Sequence, residues 1–363
     1  MKRIDLFKPT LGAAELAAVK EVFESGWIGY GPRCEGVERA WAFTVGARFG
    51  VALNSCTSAL QIALKLRGVG PGKKVLVPTI TFAATAEAVI AVGATPVFVD
   101  VHPDTLLIDL DSIRKEDRDA DAVIVVLYAG QVLDIGNEFN GIPVIYDCAH
   151  AAGSSFTGTG KLCCWSFQAV KNLGCGDGGM ITTDSAIEQT RAKSLAWHGI
   201  SRSTWDRANA KHYTWDYDIA EIGFKAQMND ITAAILSVQI GRMGELQQQR
   251  RHLAYRYMQR LRGIPIVGGS EAQSCHLFVI KSDYRNELAD FLAARQIATG
   301  VHYRPLHLHT AFAPQPALSV AEREWQRVLS LPMHPSLTLH DVDGICELIC
   351  EFYETKKRNE AAA

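Results

Sequence analysis

A single lysine lies just before the most glycine-rich stretch of the chain. The segment SFQAVKNLGCGDGGM runs from Ser166 to Met180, and Lys171 precedes its four glycines. A phosphate loop of the G-x-x-x-x-G-K-[ST] type would place the lysine after the glycines, so that interpretation fails. Lys171 is therefore a candidate nucleophile. The glycines predict either room for the lysine to move or a tight turn, and the sequence favours neither.

Other reactive side chains lie where predicted strands end or helices begin. Thr57 and Ser58 follow a strand that ends at Asn54 and stand at the mouth of a helix. Free backbone N–H groups and the helix dipole favour an anion there, although a plain N-cap is the commoner role of such residues. Asp147 follows the buried strand VIYD. A buried carboxylate is costly without a cationic partner, and a protonated pyridine nitrogen would be one.

Two rings complete the set. His150, three residues after Asp147, can reach a phenolate oxygen on the same pyridine ring, and Phe82 can stack on its face. Taken singly, His150 is more often a structural group and Phe82 a core aromatic. Together with Lys171 these residues supply a phosphate cradle, a stacking aromatic, a carboxylate and a Schiff-base lysine. That combination predicts a site for pyridoxal 5′-phosphate (PLP).

Parallel strands are needed to hold these residues. From about residue 50 to 185, almost continuously apolar runs such as KVLVP and DAVIVVLY alternate with helical stretches. Strands covered on both faces have this composition, so the pattern predicts a mostly parallel α/β sheet with ligands at the carboxyl ends of its strands. Residues 229–262 have the pattern of one long helical stretch. Beyond it, runs such as CHLFVIKS and RNELADFLAARQI predict a smaller α+β domain, with the division at 1–240 and 241–363.

Composition excludes several classes of function. The chain has 363 residues, 48% of them hydrophobic, and 37 basic against 39 acidic residues give a net charge of −2. This balance argues against a nucleic-acid-binding module or an anionic membrane surface. Its nine cysteines show no ligand spacing with histidines, so no metal site is predicted. Without a recognisable export signal, we expect reduced thiols in a cytoplasmic protein.

The chain resembles the DegT/DnrJ/EryC/StrS sugar aminotransferases from about residue 5 to 352. The blocks that carry the resemblance are ESGWIGYGPRCEGVERAWA, NSCTSALQIAL, VPTITFAATAEAVIAVGATPVFVDV, DCAHAAGS, WSFQAVKNLGCGDGGMITT, HGISRSTWDR, EIGFKAQMNDITAAI, TGVHYRPLH and LSLPMHPSLT. The resemblance implies the fold-type I PLP-transferase fold: a seven-stranded, mostly parallel sheet between helices and a smaller C-terminal α+β domain. It also implies a homodimer with shared active sites.

By this resemblance each candidate residue has a role. Thr57, Ser58 and Ser166 hold the phosphate, Phe82 stacks on the ring, Asp147 pairs with the ring nitrogen, His150 lies near the ring oxygen, and Lys171 forms the internal aldimine. The family's G-x-N-x-R block, which reaches the neighbouring subunit's cofactor, is changed here, so that Lys225 and Gln227 are the candidates for that contact. Asp177 stands where the family more often has Glu.

The implied reaction moves an amino group from L-glutamate to a nucleotide-linked keto-deoxysugar, with pyridoxamine phosphate as intermediate. Family dehydratases carry His at the position of Lys171, so the lysine favours transamination. A transaminase of a keto-cyclitol or another nucleotide-free keto sugar, and a non-catalytic PLP-binding regulator, remain alternatives. The candidate acceptor contacts, for which core or turn packing is at least as frequent a role, are Trp27, Tyr30, His302, Tyr303 and His307.

Overall fold

The computed structural model describes residues 3–115, 118–200 and 217–362. Of the sequence blocks above, HGISRSTWDR extends outside the described residues, because positions 201–207 are not among them. None of the helices in the described residues is long and apolar enough to cross a membrane.

A single large sheet forms the first half of the structure. Its strands are β1 (Phe49–Leu53), β2 (Lys74–Pro78), β3 (Thr95–Val99), β4 (Ala122–Val126), β5 (Glu138–Phe139), β6 (Ile142–Asp147), β7 (Cys163–Ser166) and β8 (Gly179–Thr183). They lie in the order β1-β8-β7-β6-β4-β2-β3, and β5 pairs beside β6. The pairs from β7 through β3 are parallel, whereas β8 is antiparallel to both β7 and β1. The predicted mostly parallel α/β sheet is confirmed, with the two-residue β5 as an eighth strand.

The apolar strand runs follow from burial on both faces of the sheet. In β2, Leu76 enters one hydrophobic cluster while Val75 and Val77 enter the cluster on the opposite face. All three side chains are fully buried. Alternate residues of a strand point to opposite faces, so a strand between two helical layers must be apolar at every position.

Helices cover the sheet and continue into the second half of the chain. They are α1 (Ala13–Ser25), α2 (Pro32–Thr44), α3 (Cys56–Leu66), α4 (Ala83–Ala91), α5 (Ala186–Ala196), α6 (Asp230–Gly241), α7 (Met243–Arg260), α8 (Arg285–Ala293), α9 (Ser319–Glu324) and α10 (Leu339–Ala362). A two-stranded antiparallel sheet, β9 (Phe278–Lys281) with β10 (Val328–Leu331), accompanies the later helices.

The stretch from 229 to 262, expected as one helix, is two helices that meet at Arg242. Gly241 ends α6, and glycine is a poor helix former. The Arg242 side chain is held by two N-terminal groups, the carboxylate of Glu15 at 3.0 Å and the carbonyl oxygen of Thr10 at 3.1 Å. This break lies near the predicted domain boundary at 240, and the division itself stays a prediction.

The N-terminal segment runs alongside the second half of the chain. Ile4 forms a parallel bridge with Ile297, and the amide of Met333 donates to the carbonyl oxygen of Leu6 at 3.2 Å. The core of the second half is built from α7, α8, α10 and the β9–β10 pair.

Gly179, the first residue of β8, allows a close approach of the sheet to the start of α3. A Cβ at position 179 would overlap the Ser55 carbonyl and lie 2.5 Å from the Cys56 amide nitrogen. Because these are backbone atoms, they cannot move aside without displacing the helix.

We expect Gly179→Ala to lower the free energy of unfolding by about 1–3 kcal/mol, as overpacking of an interior does. Gly344→Ala is the matched control: this glycine lies inside α10, and its Cβ would meet nothing within 4 Å. There alanine should raise the free energy of unfolding by about 0.5–1 kcal/mol. Urea unfolding followed by circular dichroism measures both, and equal effects of the two variants would contradict the close approach at 179.

Candidate active site

A cavity of about 380 Å³ opens at the carboxyl ends of the parallel strands. Its walls come from the chain after β1, β2, β6 and β7, together with the segment around residue 303. The polar residues that line it are Ser55, Cys56, Thr57, Thr81, Thr85, Asp147, His150, Ser166, Gln168, Lys171, Asp177, His302 and Tyr303.

Asp147 is the last residue of β6, and its side chain is only 5% exposed. One carboxylate oxygen accepts from Thr85 Oγ1 at 2.9 Å; the other accepts from the amide of Ala149 at 3.1 Å and lies 3.9 Å from Cys56 Sγ. Burial raises the pKa of this carboxyl, and the hydrogen bonds and the nearby Lys171 oppose that shift. No ion pair within the described residues includes Asp147.

Lys171 follows the turn after β7. That turn is closed by the Lys171 amide, which donates to the Gln168 carbonyl oxygen at 2.8 Å, and by the Val170 amide, which donates to Gln168 Oε1 at 2.9 Å. The side chain is half-buried and lines the cavity. Burial lowers the pKa of its amine to about 8, although the Asp147 carboxylate acts in the opposite direction. About a tenth of this amine is therefore neutral, and nucleophilic, at pH 7, far more than for an ordinary lysine.

His150 is held in one tautomer. Its Nδ1 accepts from the amide of Ala129 at 3.2 Å, so the proton of the neutral ring is on Nε2. Nε2 lies 3.3 Å from the hydroxyl of Tyr303, and both residues line the cavity. Burial lowers the pKa of His150 well below its usual value, and Lys171 and His302 lower it further. The ring is therefore a neutral donor at physiological pH.

The start of α3 forms another part of the cavity wall. Ser55 is the N-cap, and its hydroxyl accepts from the Ser58 amide at 3.1 Å. The amides of Cys56 and Thr57, in the first helical turn, have no acceptor within the helix. The hydroxyl of Ser58 donates to Asn54 Oδ1 at 2.8 Å, and Ser58 is not among the lining residues.

The stacking and phosphate candidates occupy the mouth and the floor of the cavity. Phe82 precedes α4 and is 62% exposed, with its ring centroid 6.1 Å from that of Tyr303. Ser166 ends β7 and is 6% exposed; its Oγ accepts weakly from the Gln168 amide at 3.4 Å. Both residues line the cavity.

The glycines after Lys171 are explained by packing. A Cβ at Gly174 would lie 2.8 Å from the carbonyl oxygen of Ala169, and one at Gly178 would lie 2.7 Å from Cys175 Sγ. Gly176 has a φ of +96°, which side-chain-bearing residues rarely adopt. These contacts favour the tight-turn interpretation over room for the lysine to move.

The candidate acceptor contacts fall into two groups. His302 and Tyr303 line the cavity. Trp27, Tyr30 and His307 do not: Trp27 Nε1 donates to the Tyr30 carbonyl oxygen at 3.0 Å, the Tyr30 hydroxyl donates to buried Glu38 at 2.9 Å, and the His307 ring bridges Thr79 and Glu322. The roles of all five residues stay predictions.

Lys225 and Gln227 also lie away from this chain's cavity. They belong to a segment that runs beside the end of β1, where Gln227 bridges Leu53 and the Ala226 carbonyl oxygen accepts from the Asn54 amide at 2.7 Å. Lys225 is exposed, with Nζ 4.0 Å from the centroid of the Trp197 ring. A contact with a second subunit's cofactor stays a prediction for both.

Several residues that line the cavity carried no clear signal in the sequence. Ser55, Cys56, Thr81, Thr85 and Gln168 were not singled out, although the spacing of four between the hydroxyls of Thr81 and Thr85 was a signal. No group of His, Cys, Asp and Glu that could hold a metal ion occurs within the residues described.

Comparison with known proteins identifies the relatives of this chain. The model of the DegT/DnrJ/EryC1/StrS aminotransferase family matches residues 9–350. The spore coat polysaccharide biosynthesis protein SpsC of Bacillus subtilis is 34% identical, with 94% of this chain and 95% of SpsC covered. The aminotransferase TlmJ from Streptoalloteichus hindustanus is 35% identical, with a TM-score of 0.86 over 96% of this chain and 98% of TlmJ. Spr1654 from Streptococcus pneumoniae, in its PLP form, is 29% identical, with a TM-score of 0.85 over 95% of this chain and 97% of Spr1654.

The depressed pKa of Lys171 can be tested without any ligand. The acylation rate of Lys171 by an amine reagent, located by peptide mass spectrometry, should rise through a midpoint near pH 8. Because Asp147 raises this pKa, Asp147→Asn should move the midpoint to lower pH. Nα-acetyl-lysine serves as the reference amine, and a Lys171 midpoint equal to its value of about 10.4 would contradict the buried environment.

Proposed function

The chain belongs to the DegT/DnrJ/EryC1/StrS aminotransferase family, and we propose that it transfers an amino group from L-glutamate to a nucleotide-linked keto sugar. Enzymes of this family are PLP-dependent sugar aminotransferases. The observation that carries the proposal is the pairing of a nucleophilic lysine with a buried carboxylate in one cavity, because this pair is what PLP chemistry requires of the protein.

The residues of the cavity fit the cofactor. Asp147 is a buried carboxylate that faces the cavity without an ion-pair partner in the described part of the chain, as a protonated ring nitrogen requires. The amides at the start of α3 and the hydroxyl of Thr57 are donors suited to a phosphate. Phe82 offers an exposed aromatic face at the mouth.

Each residue then has a proposed role in holding the cofactor. Lys171 would hold it covalently through Nζ. Thr57 and Ser166 would bind the phosphate, with Ser58 supporting the start of α3. Asp147 would keep a proton on the ring nitrogen, and His150 would donate its Nε2 proton to the ring oxygen. When bound, PLP supplies an aldehyde that condenses with amines and a protonated ring that withdraws electrons from the substrate's Cα.

Lys171 would also move the proton of the reaction. Its released Nζ would take the proton from Cα of the amino donor and deliver it to C4′ of the cofactor, acting first as base and then as acid. In the cofactor-free cavity the pKa of this amine is about 8, so burial makes its neutral form accessible near pH 7, as a general base requires. Tyr303 and Phe82, at the mouth, would exclude water from the site.

The proposal is tested by separate screens of donors and acceptors. We expect the visible absorbance of the cofactor-loaded protein to be bleached by L-glutamate and restored by a nucleotide-linked keto sugar. Lys171→Ala should bind the cofactor yet lose nearly all turnover, and Asp147→Asn should retain the cofactor and lose about 10²-fold or more in rate, because a neutral pyridine is a poor electron sink.

The outcomes of these screens separate the alternatives. Restoration by keto-inositol or a nucleotide-free keto sugar alone would replace the proposed acceptor class. Cofactor binding with no response to any donor or acceptor would indicate a regulator. Near wild-type turnover of Asp147→Asn would show that the carboxylate is not the partner of the ring nitrogen.

The proposed working unit is a cytoplasmic homodimer with shared sites. The segment of Lys225 and Gln227 matches the family block that reaches the neighbouring subunit, and neither side chain lines the cavity of its own chain. In a two-fold dimer each chain would lend these residues to the cofactor phosphate of the other. All nine cysteines are free thiols, which agrees with a reducing compartment.

Mixing of inactive chains tests the sharing. Chains with Lys171→Ala and chains with both Lys225→Ala and Gln227→Ala should regain activity when they are co-assembled, because each hybrid dimer contains one complete site. The matched control mixes Lys171→Ala with Asp147→Asn chains, whose lesions affect the same cavity, and should show no recovery. Verified hybrids without recovery in the first mixture would refute the shared site.

A further inference from the structure

A short segment from the second half of the chain packs behind residues that line the cavity. Ser274 donates its amide to the Gly130 carbonyl oxygen at 3.0 Å, and its hydroxyl donates to the carbonyl oxygen of His150. Its own carbonyl oxygen accepts from Asn172 Nδ2 at 3.0 Å. Residues 274–276 thus contact both the His150 segment and the residue that follows Lys171.

The hydrogen bonds of Asn172 fix its orientation. Its amide nitrogen donates to the carbonyl oxygens of Ala152, at 2.9 Å, and Ser274. Both N–H groups are thereby used, so Oδ1 is the acceptor that lies 3.0 Å from Nδ1 of His276. His276 must therefore carry its proton on Nδ1. Asn172 is 7% exposed and His276 is 2% exposed, and neither lines the cavity.

The ring of His276 also covers His150. The two ring centroids are 4.3 Å apart at an interplanar angle of 37°, and Phe7 stacks on His276 at 5.7 Å and 9°. Burial lowers the pKa of His276 well below its usual value, and the charged or titratable groups around it, His150, Lys171, Arg250 and His302, lower it further. His276 is therefore a neutral ring with a single donor directed at Asn172.

The segment is anchored from behind as well. Arg250, 3% exposed in α7, donates Nη1 to the carbonyl oxygens of Met333 at 3.0 Å and Cys275 at 3.5 Å. Gln247, one turn earlier, donates Nε2 to the Gln273 carbonyl oxygen at 3.5 Å. The backbone around His276 is therefore anchored independently of the His276 ring. The hydrogen bond from this ring to Asn172 consequently restrains the backbone next to Lys171.

We propose that Asn172 and His276 are a positioning pair, in which the Nδ1–H···Oδ1 hydrogen bond fixes the backbone beside Lys171 and keeps its amine in the desolvated position. This proposal depends on the proposed function in one respect, namely that Lys171 is the reacting lysine. Loss of the His276 donor leaves Asn172 Oδ1 buried without a hydrogen-bond donor. This favours rearrangement of the turn around Lys171 and entry of water. Water at the amine stabilises its charged form, so the pKa of Lys171 must rise.

Two substitutions at position 276 separate the donor from the ring. His276→Asn keeps an N–H donor in the place of Nδ1 and removes the ring, whereas His276→Phe keeps a ring between Phe7 and His150 and removes the donor. The first readout is the midpoint of Lys171 acylation in the full chain without cofactor. We expect His276→Phe to raise it by about one pH unit, a tenfold loss of neutral amine, and His276→Asn to leave it near the wild-type value.

The second readout is the dissociation constant of PLP, measured by fluorescence titration. We expect it to rise about tenfold in His276→Phe and to change little in His276→Asn. An unchanged Lys171 midpoint in His276→Phe, or equal shifts in both variants, would overturn the pair. If His276→Phe does not fold, Asn172→Ala removes the same bond from the other side, together with the two that Nδ2 donates, and must raise the midpoint at least as much. A wild-type chain that fails to bind PLP would contradict the proposed function, while the acylation midpoints would still decide the pair.

Discussion

The burial of one carboxylate opposite one amine is the constraint on which the rest of the site depends. An ionised carboxylate removed from water is costly unless hydrogen bonds and a counter-charge replace the solvent. For Asp147 the replacements come from three separate elements: Cys56 at the start of α3, Thr85 in α4 and the amide of Ala149 after β6. The starts of α3 and α4 must therefore lie beside the Asp147 carboxylate. The close approach of β8 at Gly179 to the Ser55–Cys56 backbone fixes the start of α3 against the sheet.

The histidines around Lys171 complete the charge balance. His150 and His276 have pKa values well below the usual value, and burial lowers that of His302 to about 4. Each would oppose the charged lysine if it were protonated. Because all three are neutral at physiological pH, Asp147 acts on the amine without competition from neighbouring imidazolium groups. The polar wall therefore supplies directed donors and acceptors without adding positive charge.

The parts of the site that depend on local sequence patterns could be predicted from the sequence. The parts that depend on contacts between distant residues could not. Apolar runs predicted the strands, and the rule that parallel strands present their carboxyl ends at one edge placed Asp147 at the cavity, whereas Ser166 was implied only by the family resemblance. The hydroxyl of Ser58 donates to Asn54 Oδ1, a local contact that the sequence pattern did not indicate, and its role as a phosphate ligand stays a prediction. His276 lies 104 residues from its partner Asn172 in the sequence. No sequence periodicity relates residues so far apart. Their contact depends on how the second half of the chain packs against the first, which only the structure shows.

The second half contributes to the cavity in two physically different ways. At the back, His276 and Ser274 are buried, and their bonds leave few alternatives, since an unpaired buried group costs about 1–3 kcal/mol. At the mouth, the ring centroids of Tyr303 and Phe82 lie 6.1 Å apart and Phe82 is 62% exposed, so aromatic surface lines the mouth. Hydrogen bonds thus fix the groups behind the cavity, whereas the aromatic ring of Phe82 at the mouth is largely exposed. Substitutions at the mouth should therefore leave Lys171 undisturbed, whereas changes among the buried hydrogen bonds behind it should alter its environment.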